Sequence, residues 1–359
     1  MILFRYVFFE IAKTFLLAFL GLSAVIFIAF MLSQLHSVQG ASLGLLLQIF
    51  PNLLPDVLLI TIPSSVLLAV TFGIGRLAGD NELNAMRANG VNLGRVLVPG
   101  MMLGLVCSVA CFYVIHVVIP AAHYNRRHLL GRALEGLLTS RGTAVRQIRL
   151  GDQFIRFKDF RDGRMIEADI FLVDRQKNRE CIRAREARLL LDEGGQRLVL
   201  DLRDAVVTFQ SDVKKRDIQS DLIFERVTRE IDVSDRFSKN KNLPDLVDRE
   251  LLAMIHGEMA TRYGREELTT EYHRRKALSM APLLFAIAAG PLSMLLKRGG
   301  RVAGLAAVVL PVIVVYFPLV FGGQKLAEQG LIPPLVGAYA GDAVLAVAGL
   351  VTFRRFVLL

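Results

Sequence analysis

Between two strongly apolar stretches lies the run Arg76-Leu-Ala-Gly-Asp-Asn-Glu-Leu-Asn-Ala-Met-Arg-Ala-Asn-Gly-Val-Asn-Leu-Gly-Arg95, whose side chains suit docking rather than bond-making. Asp80 or Asn81 can cap a short helix, Leu83 and Met86 give it an apolar edge, and Gly90 can end it in a left-handed turn. With Glu82 and Arg87 outward and Leu83 and Met86 as anchors, such a helix fits a groove on a soluble partner. The plainer use of the same pattern is an interfacial helix lying on lipid. Asp342 is the one acid deep in an apolar stretch, where a charge costs about 3 kcal/mol on insertion scales. It suits proton-coupled transport, or simply a carboxyl bonded within a helical bundle or facing a wet cavity.

Other reactive arrangements are missing from the sequence. It has no G-x-x-x-x-G-K-[ST] phosphate loop, no H-E-x-x-H, no C-x-x-C and no G-x-S-x-G. Gly73-Ile74-Gly75 is a fragment of a glycine pattern without the strand that a dinucleotide site needs. Cys107 and Cys111 sit in an apolar run and read as small core residues, Cys181 has no obvious partner, and His116 reads as packed or interfacial. The expectation is therefore no enzyme, no metal and no directly bound cofactor.

The elements that must position these residues follow from charge segregation. Of 359 residues, 53% are hydrophobic and 21% charged, and most of the 43 Lys+Arg and 33 Asp+Glu fall between Arg126 and Lys276. The +10 formal charge then points to anionic lipid or the membrane potential rather than nucleic acid. Crossing a bilayer takes about 20 apolar residues as helix. Stretches of that kind run from about Thr14 to Ser33, Leu53 to Gly75, Val96 to Ile119, Ala277 to Leu296, Val302 to Phe321 and Pro334 to Phe353. The fold expected is an α-helical membrane protein of six transmembrane helices, three plus three, with an inserted periplasmic β-jelly-roll domain. Its parts are residues 1–120 with the docking helix near 80–90, 121–276 with flanking helices, and 277–359.

The first apolar run is too long for a signal-peptide core and reads as a retained anchor. Arg5, Lys13, Arg76, Arg87, Arg95, Lys297, Arg298, Arg301, Arg354 and Arg355 all fall in short loops or ends on one side, against Lys325 on the other. By the positive-inside rule both termini are cytoplasmic and the large polar region is exported.

Within that region Val145–Leu150, Gln153–Phe157, Met165–Val173, Ala187–Leu191, Arg197–Leu202 and Ala205–Phe209 read as strands, with turn signals at Gly151-Asp152, Asp162-Gly163 and Gly194-Gly195. Leu198, Leu200 and Leu202 share one face, so the sheet has one covered side, as in a sandwich or jelly roll. From Leu243-Pro244-Asp245 a helix begins, with Asn242 as its cap. Gly100/Gly104 and Gly337/Gly341 are G-x-x-x-G pairs that permit close helix approach.

Residues 82–90, Glu-Leu-Asn-Ala-Met-Arg-Ala-Asn-Gly, resemble the E-[LI]-x-x-[ML]-x-A-x-G loop of the LptF/LptG (YjgP/YjgQ) family of lipopolysaccharide export permeases. The likeness extends to Gly151-Asp-Gln-Phe-Ile-Arg-Phe157, to Gly290-Pro-Leu-Ser-Met294 and to the basic loop Lys297 to Arg301, and covers the whole length. It implies one half of an inner-membrane heterodimer that extracts lipopolysaccharide from the outer leaflet. Energy would come from a cytoplasmic LptB-like ATPase pair, so ATP acts through a partner. Glu82 matches the acidic residue of the coupling helix, with Leu83, Met86, Arg87 and Gly90 in the same motif.

The resemblance also implies a lateral gate between spans one and five, at Phe30 and Val315, a companion LptC-like single-span protein, and a periplasmic LptA-like bridge that receives the lipid. Ile170, Leu172, Leu198, Leu200 and Leu202 are candidates for an acyl-chain path through the sheet, or else ordinary core. Many relatives carry a cation at the outer end of span one, where this chain has Ser33-Gln34-Leu35-His36. Phosphate contact would then fall to Arg126, Arg127, Arg274, Arg275 and Lys276, or to the partner permease. Two other classes stand beside this reading: an ion-coupled secondary transporter using Asp342, and a non-transporting anchor that presents a periplasmic β-domain.

Overall fold

The computed structural model describes residues 2–37, 43–139, 147–150, 153–161, 164–173, 179–191, 197–210, 219–232, 241–259, 261, 263–295 and 300–355. The chain divides into two compact units: Met1–Ile28 with Leu54–Ala121 and Leu243–Leu359, and Ala29–Leu53 with Ala122–Asn242.

The first unit is a helical bundle. Its helices are α1 (Ile2–Ser37), which runs on into the second unit, α3 (Leu54–Gly79), α4 (Glu82–Ala88), α5 (Leu93–Tyr113), α7 (Asp248–Ile255), α8 (Arg265–Leu295), α9 (Gly300–Glu328) and α10 (Pro334–Phe353). A π-helical turn, Val114–Val118, joins α5 to α6 (Ile119–Thr139). Five helical segments among the described residues are long and apolar enough to cross a membrane: Ile2–Gln34, Leu47–Gly79, Leu93–Leu129, Arg265–Met294 and Pro334–Phe353. The remaining expected span, Val302–Phe321, lies within α9, part of whose side chains fall outside the described set.

The bundle core is built from α3, α5, α8, α9 and α10, with Val66, Ile74, Leu77, Val96, Phe285 and Tyr316 nearly sealed from solvent. Helix α1 joins it differently. Val7 and Ile11 are completely buried, whereas Leu16, Leu17, Leu20 and Val25 are exposed. Ile11 presses on Gly73 of α3, where an added Cβ would stand 2.8 Å from Ile11 Cγ1. So α1 is gripped most firmly near its start; beyond it Phe15 and Phe19 touch the core, and much of the remaining apolar surface is exposed among the described residues. Helix α8 begins at Arg265, well before its apolar part, and the helix expected from Leu243 starts instead at Asp248 after a short 3₁₀ turn, Leu243–Asp245.

The second unit holds α2 (Leu43–Ile49), α6 and six strands: β1 (Gln147–Leu150), β2 (Gln153–Arg161), β3 (Arg164–Val173), β4 (Arg179–Leu191), β5 (Arg197–Gln210) and β6 (Gln219–Asp232). They form one antiparallel sheet in the order β1-β2-β3-β4-β5-β6. That is a meander, each strand pairing with the next in the chain, and differs from the interleaved Greek keys of a jelly roll. The three turn signals at 151–152, 162–163 and 194–195, and residues 145–146, lie outside the described residues.

One row of this sheet is irregular. Lys158, Glu167, Arg185, Asp204 and Glu225 stand opposite one another across β2 to β6, and the pairing skips all five while the register on either side is unchanged. At that row the burial pattern changes phase. Met165 and Ala168, Ala184 and Ala187, and Leu202 and Ala205 are buried three residues apart, where simple alternation would give two. Glu167 and Asp204 take left-handed backbone angles, φ 51° and 50°, which absorb the extra residue as a bulge does. The row is thus a crease that turns five charges outward and keeps one apolar face continuous. That face gathers Ile155, Phe157, Ile170, Ile182, Leu200 and Leu202 into a single buried cluster.

Candidate functional site

Helix α4 sits between α3 and α5, and its local signals act much as their residue types dictate. Gly90 has φ 74°, the Gly90 N–H donates to Arg87 O and the Val91 N–H to Met86 O, which closes the helix in a Schellman turn. At the other end Asn81 is left-handed rather than a side-chain cap, and Asn84 Nδ2 donates to Asn81 Oδ1 at 3.1 Å. Leu83 is only 5% exposed within the bundle core and Met86 packs against the same core. The two apolar residues therefore hold α4 to its own chain. Arg87, Asn84 and Gly90 are exposed and Glu82 is half-buried.

Glu82 is not isolated. The Tyr6 hydroxyl of α1 donates to Glu82 Oε2 at 2.9 Å, and Arg76 of α3 donates to the same hydroxyl at 3.2 Å. Arg76 Nε also pairs with Glu10 Oε1, one turn along α1, at 3.2 Å. Sequence reasoning passed over Tyr6 and Glu10. Their signal was available: two hydrogen-bonding side chains four apart, and so on one face, at the start of a largely apolar helix. The contact puts the start of α1 and the 76–95 segment at one end of the bundle. Gly290 of α8 lies at the same end, its missing Cβ 2.9 Å from Leu97 Cδ2 of α5.

A second polar group gathers around the first turns of α8. Arg275, 3% exposed, donates from Nε to Glu271 Oε1 at 2.9 Å, from one terminal nitrogen to Leu246 O at 2.6 Å, and from the other to Leu243 O at 3.1 Å. Arg274 grips Glu271 with two bonds of 2.8 Å, and Lys276 donates to the Tyr272 hydroxyl at 2.6 Å. Asp248 completes the group, 3.6 Å from Arg275 and 2.5 Å from His116 Nδ1 of the π-helical turn. Burial alone would raise the Asp248 carboxyl. The contact with His116 and the charges of Arg275 and Lys276 outweigh it and hold the pKa below the ordinary carboxylate value. Arg274, Arg275 and Lys276 are thus engaged with their own chain. Arg126 and Arg127 lie on α6 in the other unit, Arg127 buried and Arg126 half-buried.

Asp342 is buried on α10 beside the Tyr316 hydroxyl of α9, and neither group reaches hydrogen-bond geometry with a described residue. Ile170, Leu200 and Leu202 are sealed in the apolar cluster of the sheet, while Leu172 and Leu198 lie on β3 and β5 with side chains outside the described set. Phe30 is half-buried on α1 and Val315 is exposed on α9. An open cleft of about 640 Å³ lies along the crease, lined by Arg156, Lys158, Glu167, Asp169, Arg183 and Arg185 among others. Its charges are of both signs and partly paired, Lys158 with Glu167 and Arg183 with Asp169, each at 3.0 Å. Among the described residues no cluster of three or more His, Cys, Asp or Glu is placed to hold a metal.

The sequence profile described as lipopolysaccharide export system permease LptF/LptG matches residues 5–355, essentially the whole length. No curated protein matches the chain.

Proposed function

The chain belongs to the LptF/LptG family of lipopolysaccharide export permeases, and from that premise we propose that it is one half of a lipid exporter driven by a separate cytoplasmic ATPase. It spans the inner membrane six times, with both termini in the cytoplasm and the sheet in the periplasm, an orientation supported by the cations of its short loops. A second LptF/LptG-type chain completes the permease, and an LptB-like ATPase pair docks on α4. The observation that carries the docking is the seating of α4: Leu83 and Met86 fix it to the bundle, while Arg87 is exposed and Glu82 is partly so.

Lipid enters where α1 exposes its apolar surface, passing Phe30 and Val315, and its acyl chains move to the apolar face of the sheet, whose cluster of Ile170, Leu200 and Leu202 opens to admit them. That face reduces the cost of exposing chains to water, about 0.8 kcal/mol per CH₂. The meander sheet then acts as a trough. Its edge strand β6, with Leu222, Ile223 and Phe224 exposed, suits pairing with the sheet of an LptC-like or LptA-like protein. Headgroup phosphates meet Arg126, Arg127 and the partner chain. Arg274, Arg275 and Lys276, engaged as they are, contribute mainly their field.

The deciding test is Glu82→Ala in cells that carry the other subunits. Membrane insertion stays at the wild-type level, and the ATPase recovered with the purified chain falls about tenfold or more, as expected for removing one partner of an interfacial charge pair. Undiminished recovery of the ATPase overturns the docking assignment.

A further inference from the structure

The contacts of Glu82 reach beyond its own helix. Tyr6 and Glu10, four residues apart on α1, both engage Arg76 of α3, Tyr6 by accepting its hydrogen bond and Glu10 by an ion pair, and Tyr6 continues to Glu82 of α4. Immediately after each of these two polar residues comes a fully buried one, Val7 and Ile11, so polar and apolar contacts grip the same two turns of α1. Farther along, Phe15 and Phe19 still lean on the core, while Leu16, Leu17, Leu20 and Val25 are exposed among the described residues. A helix held in this way behaves as a lever, and a small displacement at the grip becomes a larger one at the far end.

We propose that Tyr6 is the positioning residue that transmits the state of the docking helix to α1. Its hydroxyl bonds one oxygen of the Glu82 carboxylate and leaves the other to accept from a cationic side chain of the ATP-hydrolysing partner. A carboxylate has acceptor capacity for both donors at once. When the partner moves α4, the Tyr6 bond and the Arg76–Glu10 pair carry the displacement to the start of α1. The lipid-facing length of that helix swings about Val7 and Ile11. The inference rests on the reading of α4 as the docking helix.

The test uses the complete complex in proteoliposomes and compares wild type, Tyr6→Phe and Glu82→Ala, with ATP hydrolysis and lipid release measured on the same samples. Tyr6→Phe keeps the ring and removes only the hydroxyl. The ATPase remains bound at the wild-type level and ATP is still hydrolysed, but lipid released per ATP falls about tenfold, the factor set by one hydrogen bond to a charged group. Wild-type release per ATP in Tyr6→Phe overturns the proposal. So does a parallel loss of ATPase binding, which would make Tyr6 part of the docking surface itself. Glu82→Ala separates the two ideas: if it keeps its ATPase, the docking assignment fails, whatever Tyr6→Phe does.

Discussion

Asp248 joins three parts of the bundle through one carboxylate. It opens α7, faces His116 on the π-helical turn and lies beside Arg275 on α8. A π turn shifts the backbone bonding by one residue and so re-aims the side chains it carries; here His116 is nearly sealed inside. Because the folded Asp248 carboxyl titrates below its unfolded value of about 3.9, its contribution to stability is present above that pH and is lost as the pH falls through the folded value. Thermal unfolding in detergent between pH 5 and pH 3, both about the range where carboxylates titrate, checks this. The wild-type chain loses more of its melting temperature on acidification than Asp248→Asn does, and equal losses would rule the linkage out. None of this network was legible in the sequence. Arg275 bonds carbonyls of Leu243 and Leu246, about thirty residues away, and side-chain type alone does not reveal a partner brought in by folding.

The backbones of α9 and α10 approach closely at Gly323 and Gly337. A Cβ on Gly337 would lie 2.5 Å from Gly323 O and 2.7 Å from the Ala327 Cβ, and one on Gly341 would lie 2.8 Å from a Val320 methyl. Backbone cannot yield as a flexible side chain does, so Gly337→Val forces the helices apart and destabilises the bundle by about 1–3 kcal/mol. Gly100→Ala, whose Cβ meets side-chain carbons alone, a Val70 methyl at 3.2 Å and Ile11 Cδ1 at 3.5 Å, costs less. Comparing the two melting temperatures tests the ranking; equal shifts would refute it. These glycine pairs were visible as G-x-x-x-G. The helix α4 was visible too, with its Gly90 end, but not which neighbour its apolar edge would meet. Periodicity tells that Leu83 and Met86 share an edge, and a bundle and a partner groove are equally good receivers for it. Strand β4 was legible only from Ala187 on and β6 not at all: β4 changes phase at Arg185, so the two-residue alternation that marks a strand is broken midway, and β6 has charged residues on both sides of Leu222-Ile223-Phe224.

For the whole molecule, segregation of charge along the chain gave the alternation of apolar helices and polar sheet, because length and hydropathy are properties of each segment alone. Strand order and lateral contacts depend on distant partners and had to be seen. The proposed orientation makes a direct prediction for single cysteines placed in a background with Cys107→Ala, Cys111→Ala and Cys181→Ser. Ile223→Cys on β6 reacts with an impermeant maleimide added to spheroplasts, while Ala88→Cys on α4 reacts only after lysis; the reverse pattern would invert the topology and remove the ATPase from its docking helix. The crease has a consequence of its own. Since five neighbouring strands each carry one additional residue in the same row, their lengths are tied together. Deleting Asp204 by itself would leave the end of β5 out of step with both neighbours and turn Ala205 and Val207 toward water. Such a sheet tolerates lengthening or shortening at that row only as a concerted change in every strand, which makes its curvature a collective inheritance of the five.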